Sequence, residues 1–163
     1  MKITRKAGKI ESLKAMVKAL WRDQSKVGWF ESAKYEKGDP VAGVAFVQEH
    51  GSPKMGIPPR PFFRTTVEEK RNEWAKNSAQ IAKAAALGQF DPKNVMEAIG
   101  MKAEGDVRET ITKIMEPPLS KATIAARKRR LANGGAGAQA SIAKPLVDTG
   151  VMLNTLTTQV KKK

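Results

Sequence analysis

Asp148-Thr149-Gly150, preceded by the apolar pair Leu146 and Val147, is the stretch of the chain that most resembles a catalytic element. Two apolar residues and then Asp-Thr-Gly is how an aspartic protease presents its carboxylate. That chemistry needs two such loops, whose carboxylates share one proton. A subunit of the dimeric kind must also build half a β-barrel after its motif. The stretch after Asp148 runs only to Lys163, and residues 52–116 read mainly as helix. The spacing therefore favours a structural role, in which Asp148 or Thr149 accepts backbone N–H bonds as the cap of a short helix over residues 150–154.

Other chemistries find fewer residues still. His50 is the single histidine and there is no cysteine. A metal site needs three or four converging ligands, and none is spaced to join His50 and Glu49. The small-residue run from Asn133 to Ala138 lacks the Lys-Ser/Thr of a phosphate loop, and no dinucleotide fingerprint is present. We therefore expect no enzyme, no metal and no cofactor.

Charge carries more information. The chain of 163 residues has a net charge of +14, with 40% hydrophobic residues. The charge divides as +6 over residues 1–38, zero over 39–116 and +8 over 117–163. Basic ends around a neutral middle favour a polyanion or an acidic protein surface as partner. Arg127, Lys128, Arg129 and Arg130 form the sharpest basic run, and Lys161, Lys162 and Lys163 form the second. Few aromatics accompany either, so contact with nucleic acid would be with phosphates and without sequence readout. No apolar run approaches the roughly 20 residues of a membrane span, and the basic start at Met1–Lys14 has no apolar stretch behind it to make a signal peptide.

The elements that must position these residues read as follows. One domain is expected over 1–163, with a flexible basic N-terminus (1–9), a mobile loop (132–141) and a basic C-terminal tail (161–163). Apolar spacing predicts a helix over 10–22, preceded by Gly8, with Ile10, Leu13, Met16 or Val17, Leu20 and Trp21 on one side. The aromatic-rich residues 26–36 read as a strand with Val27, Trp29, Ala33 and Tyr35 on one face. Lys37–Pro40 is a turn; Val41–Gly51 fits a strand or a short helix, and its Ala and Gly content with Gly51 at a C-cap position favours the helix. A proline-rich loop leads to Pro61, suited to the first turn of a long helix that runs to about Leu87. Val67, Trp74, Ser78, Ile81 and Ala85 form its inner stripe, and Gly88 stops it. Asp91 and Pro92 open the next helix, whose stripe is Met96, Ile99, Ala103, Val107, Ile111 and Ile114; Gly100 and Gly105 permit close contact there or mark a break. Ser120 caps a short basic helix, and Leu156, Thr158 and Val160 alternate as a final strand. The fold class is α+β: a small antiparallel sheet packed against two long helices, with extended loops used in assembly.

In this order the segments "EHGSPKMGIPPRPFFR", "PPLSKATIAARK" and "KPLVDTGVMLNTL" resemble the small neck and tail-completion proteins of tailed bacteriophages, over roughly residues 41–160. The pattern is a Glu-aromatic-Gly turn, an Ile-Pro-x-Arg-Pro-Phe segment, a helix pair, a Pro-Leu segment with Thr and Arg, and a closing Thr-Gly. His50 departs from it, standing where an aromatic is usual. The resemblance implies no catalytic residue. It implies a virion subunit, assembled in the host cytoplasm, that joins a ring of six copies where tail meets head and contacts neighbouring neck, portal-adaptor or tail-tube proteins. Interface candidates are Arg60, Phe62, Phe63 and Arg64: either one phenylalanine enters the core and the other is offered to a neighbour, or both are buried by the two long helices. The competing reading is a basic nucleic-acid-binding protein, which requires both charged ends on one face.

Overall fold

The structure is a computed structural model and describes residues 3–137 and 141–162, the side chains of residues 3–7, 9, 12 and 19–21 excepted. It is α+β and mostly helical, at 59%, with a small two-stranded antiparallel sheet. The elements are α1 (Ile3–Arg22), β1 (Asp23–Gly28), α2 (Val41–His50), α3 (Phe62–Ala86), α4 (Val95–Lys113), α5 (Lys121–Ala132), α6 (Val151–Asn154) and β2 (Thr157–Lys162), with single 3-10 turns at Pro53–Met55 and Pro92–Asn94. The chain divides into two compact units. One is Met1–Gly28, Glu69–Gly105 and Thr157–Lys163; the other is Trp29–Glu68 and Asp106–Leu156.

The second of these, the loop-rich unit, gathers a core of Val41, Ala45, Phe62, Val107, Ile111, Leu146, Met152 and Leu156. Helix α2 forms because its Ala- and Val-rich run starts at Pro40 and ends at Gly51, whose φ of 77° suits glycine and whose N–H reaches Val47 O at 2.8 Å. A side chain at Gly51 would also meet Pro59 N at 2.8 Å. Phe62 is 1% exposed and meets Trp29 edge to face at 5.9 Å. Trp29 Nε1 donates to Met152 O at 2.8 Å, which ties the stretch after β1 to α6. Thr66 Oγ1 donates to Phe62 O and shares a second hydrogen bond with Thr110 Oγ1, both at 2.7 Å, and so joins α3 to α4 inside the core.

In the other unit, the sheet unit, β1 and β2 pair from Asp23↔Lys162 to Gly28↔Thr157. Gly100 of α4 lies against this ribbon: a Cβ there would overlap Ser25 Oγ and Thr158 Cγ2. Thr158 Oγ1 donates to Glu104 Oε2 at 2.9 Å, one turn further along α4. Gly100 therefore serves close approach, and neither it nor Gly105 breaks the helix. Asp91 caps as expected, accepting from Lys93 N at 2.9 Å, and Gly88 (φ 73°) follows the end of α3.

Several sequence expectations are corrected. The strand expected over 26–36 lies at 23–28, because its partner strand begins at Thr157 and nothing pairs with residues 29–33. The rest of that stretch closes on itself: Val41 N reaches Ala33 O at 3.0 Å, around a turn at Gly38. Gly8 lies within α1, which begins at Ile3, so residues 3–9 are helical in backbone, while Met1 and Lys2 lie outside the described residues. Pro61 stands just before α3 rather than inside it, and Val67, expected inward, is exposed; Phe62 and Thr66 take the buried stripe. In α1, Ile10, Leu13 and Val17 are exposed on the face expected to be covered.

Candidate functional site

The loop-rich unit is held by arginines, and its site is best built from them. In α5, Ile124, Arg127 and Leu131 fall at i, i+3 and i+7 on one side of the helix, which turns Arg127 toward the chain that follows. Its Nη1 donates to the carbonyls of Ser141 (3.2 Å), Ile142 (3.3 Å), Lys144 (2.7 Å) and Val147 (3.4 Å), and its Nη2 to Pro145 O (3.3 Å). The guanidinium is the only charged group that offers several rigidly spaced donors at once, so one side chain can fold a loop around itself. Arg127 is 7% exposed.

Asp148 closes this arrangement. Its Oδ1 lies 3.3 Å from Arg127 Nε. Arg130, one turn along α5, grips it as a two-pronged fork, Nη1 on Oδ2 at 3.0 Å and Nη2 on Oδ1. Arg130 Nε also donates to Ala136 O at 2.9 Å, which draws the glycine-rich run back onto its own helix. That contact covers part of the segment expected to be mobile; residues 138–140 of it lie outside the described residues. Burial lowers the pKa of Arg127, partly opposed by Asp148, while the bonds to Asp148 raise that of Arg130. Both remain cations at neutral pH.

Asp148 is therefore not a helix cap, and neither is Thr149. The N-cap of α6 is Gly150 (φ 82°) and no side chain bonds there. The carboxylate is drawn off by two arginines that precede it by 18 and 21 residues, a pairing with no local signature. The groups bonded to its carboxylate are guanidiniums, whereas an aspartic dyad sets a second carboxylate against the first.

Arg60, expected at an interface, is 3% exposed. It donates to Pro117 O (2.8 Å), Pro118 O (3.2 Å) and Gln48 Oε1 (3.0 Å). Burial lowers its pKa, and the charge of Arg127 adds to the effect. The prolines around Arg60 gave no hint of this, because the groups it satisfies come from the distant Glu116–Pro118 turn. Phe62 is the core phenylalanine of the expected pair, and Phe63 is half-buried. Arg64 is largely exposed and reaches Glu49 Oε1 at 3.1 Å.

Glu49, weighed in the sequence only beside His50 and as part of a turn, has a role that spacing to a metal did not suggest. It accepts from Phe63 N (2.8 Å) and Arg64 N (3.1 Å), so a carboxylate from the end of α2 caps the start of α3, where helix N–H groups lack partners. The signal lay in spacing: Val41, Ala45 and Glu49 repeat every four residues on the buried side of α2. The same spacing argument separates Arg127 from Lys128 and Arg129, which are exposed.

Beside this network lies a cleft of about 400 Å³. Val44, Leu146, Val151 and Met152 supply apolar wall, with Tyr35 and Asp148 among its polar groups. Burial raises the pKa of Tyr35, and the Asp148 charge raises it further. In the sheet unit, the exposed cations among the described residues include Lys14, Lys18 and Arg22 on α1, Lys26 on β1, Arg71, Lys76 and Lys83 on α3, Lys93 after it, and Lys161 and Lys162 on β2. Lys163 lies outside the described residues. Among the described residues no three His, Cys, Asp or Glu side chains gather to hold a metal, and no helix is long and apolar enough to cross a membrane. No protein-family model matches the chain, and no curated protein and no solved structure matches it either.

Proposed function

We propose that this chain is a structural virion protein of a tailed phage, a small α+β subunit that forms a homo-oligomeric ring at the neck or the head-proximal end of the tail. One observation carries the reading. The separate segments that resemble neck and tail-completion proteins bond to one another within one compact unit: Arg60 of the first to Pro117 and Pro118 of the second, and Arg127 of the second to Lys144, Pro145 and Asp148 of the third, while Glu49 closes the first segment on itself through Phe63 and Arg64. A chance collection of short motifs has no reason to form one network. The network positions loops and leaves apolar groups outside it: Phe46 is 64% exposed, and Ile10, Leu13 and Val17 form a row on α1. Such surfaces suit docking to other copies and to adjacent neck, portal-adaptor or tail-tube proteins, with the extended loops used in assembly.

A second reading, a basic protein that contacts nucleic-acid phosphates, has one observation in its favour. Pairing of β1 with β2 sets Lys161 and Lys162 opposite Gln24 and Asp23, directly after Arg22 of α1, so parts of both basic ends meet in the sheet unit. Light scattering of the purified protein, alone and with DNA, separates the two. The ring reading expects self-association without DNA. A monomer that associates only with DNA, and less as salt rises, overturns it.

A further inference from the structure

Helix α2 has two unlike sides. Successive residues turn by about 100° in a helix, so Ala42, Phe46 and His50 share one side, and Val44 and Gln48 lie roughly 160–200° away. The first side is exposed and carries no Lys, Arg, Asp or Glu. Phe46 stands out from it, and the His50 ring stacks on Phe46 at 4.3 Å with 27° between planes. That stacking, with His50 Nδ1 3.1 Å from Phe46 O, holds the aromatic in one orientation and lowers the cost of fixing it on binding. The second side lines the cleft described above, between Val44, Leu146 and Met152.

We infer that Phe46 of one copy enters the Val44–Leu146–Met152 cleft of the next. The occupant is a second copy of this chain for two reasons. A chain of net charge +14 repels itself, and the outer side of α2 bears no Lys, Arg, Asp or Glu, while the exposed Arg64 beside its end is paired with Glu49. The charged residues of the cleft also balance: Lys37, Arg127 and Arg130 against Glu36, Asp39 and Asp148. An exposed aromatic and an apolar cleft, each free of net charge, are complementary. Because knob and socket lie on opposite sides of one short helix, a copy cannot fill its own cleft, and two copies cannot satisfy both contacts through a twofold axis. The contact is head to tail, the kind that closes into a ring or runs on as a filament.

This rests on the ring reading, and the test separates the two. Phe46→Arg removes the knob, and Thr149→Trp blocks the socket from an exposed residue at its mouth. Both positions are exposed, so each variant should keep the melting temperature of the parent. Sedimentation velocity should show the parent as a closed oligomer and each variant as a monomer, with self-association weakened at least about tenfold. Mixed in equal amounts, the two variants retain one intact knob and one intact socket between them and should form a dimer and nothing larger. If the parent is oligomeric and the variants assemble as it does, or if the monomeric variants do not pair when mixed, the copies meet through another surface; the inference is overturned and the ring reading stands. A parent that stays monomeric at every concentration overturns both.

Discussion

The two units put positive charge to opposite uses. In the loop-rich unit most arginines bind backbone: Arg60, Arg127 and Arg130 hold carbonyls as described, and Arg108 donates from Nε to Leu153 O (3.2 Å) and from Nη2 to Leu156 O (3.0 Å), while Arg64 and Arg129 are exposed. In the sheet unit the exposed cations are mostly lysines, along α1, β1, α3 and β2. The division follows from the side chains. A planar guanidinium offers five donors in a rigid fork and is weakly hydrated, so it can be enclosed by backbone oxygens; an ammonium is a strongly hydrated point charge that stays in water. A count of basic residues treats both as one surface property. The structure shows that part of the charge is internal scaffolding.

The strongest way to break this contrast is within the run 127–130 itself. Arg127→Gln leaves several buried carbonyls and Asp148 short of a partner and should cost about 3–5 kcal/mol in chemical denaturation. Lys128→Gln and Arg129→Gln together should change stability by less than about 0.5 kcal/mol each. Equal effects would show that Arg127 is not enclosed in solution.

Asp148→Asn comes next. The amide keeps the shape and loses the charge that faces two guanidiniums, so the loss should be about 2 kcal/mol, and in an Arg130→Gln background it should be clearly smaller. Tyr35, the single tyrosine, reports on the same carboxylate. Its folded-state pKa is raised by burial and by Asp148, so its contribution to stability is complete below the ordinary phenol value of about 10 and is lost as pH rises through the higher folded value. Phenolate absorbance should rise above the ordinary range in the parent and at lower pH in Asp148→Asn. Identical titrations would remove Asp148 from the environment of Tyr35.

In the sheet unit the sharpest comparison is between two glycines of one helix. Gly105 has open space where a Cβ would go, so Gly105→Ala should stabilise by up to about 1 kcal/mol. Gly100→Ala has the same helical advantage but meets the ribbon, and should destabilise by about 1–2 kcal/mol net. Thermal melts of the pair decide whether the ribbon lies on α4 at Gly100. The smallest effect on stability belongs to the lysines. Lys161→Gln with Lys162→Gln should leave the melt unchanged and, if the ribbon meets DNA, reduce the salt slope of binding by about one for each lost phosphate contact. An unchanged slope leaves them a different task, keeping the ribbon edge in water and away from other strands.

What could be read from the sequence was what depends on neighbours along the chain. Helices α3 and α4 follow from apolar spacing, α2 from its Ala and Gly content, and α5 from its cap, with Gly51, Gly88, Asp91 and Ser120 at the ends, since a cap and its helix are adjacent. What could not be read depends on distant partners. Strand β1 begins and ends where residues 157–162 meet it, so the aromatic content of residues 26–36 gave the wrong limits. Asp148 was assigned to the nearest helix start because its arginines lie on another element. Arg127 and Glu49 were legible in principle, as charged residues on otherwise apolar stripes, but a charged residue on such a stripe is easily taken for an interruption. The cleft beside α2, made by residues between 35 and 152, left no mark on any single segment.

The pairing of β1 with β2 also sets an order of events during synthesis. Helix α1 and β1 emerge early, yet β1 has no partner until residues 157–162 have been made, after every other described element. The segments of the loop-rich unit are all complete before that point. Each new chain therefore passes through a stage in which its arginine network can close while the strand Asp23–Gly28 still presents an open edge. Chains made side by side on one message can carry that edge at the same time, and β2 of one chain can then add to β1 of another in competition with its own. The exchange of this strand between chains is the characteristic misassembly that this topology invites, and it falls as chains are made further apart.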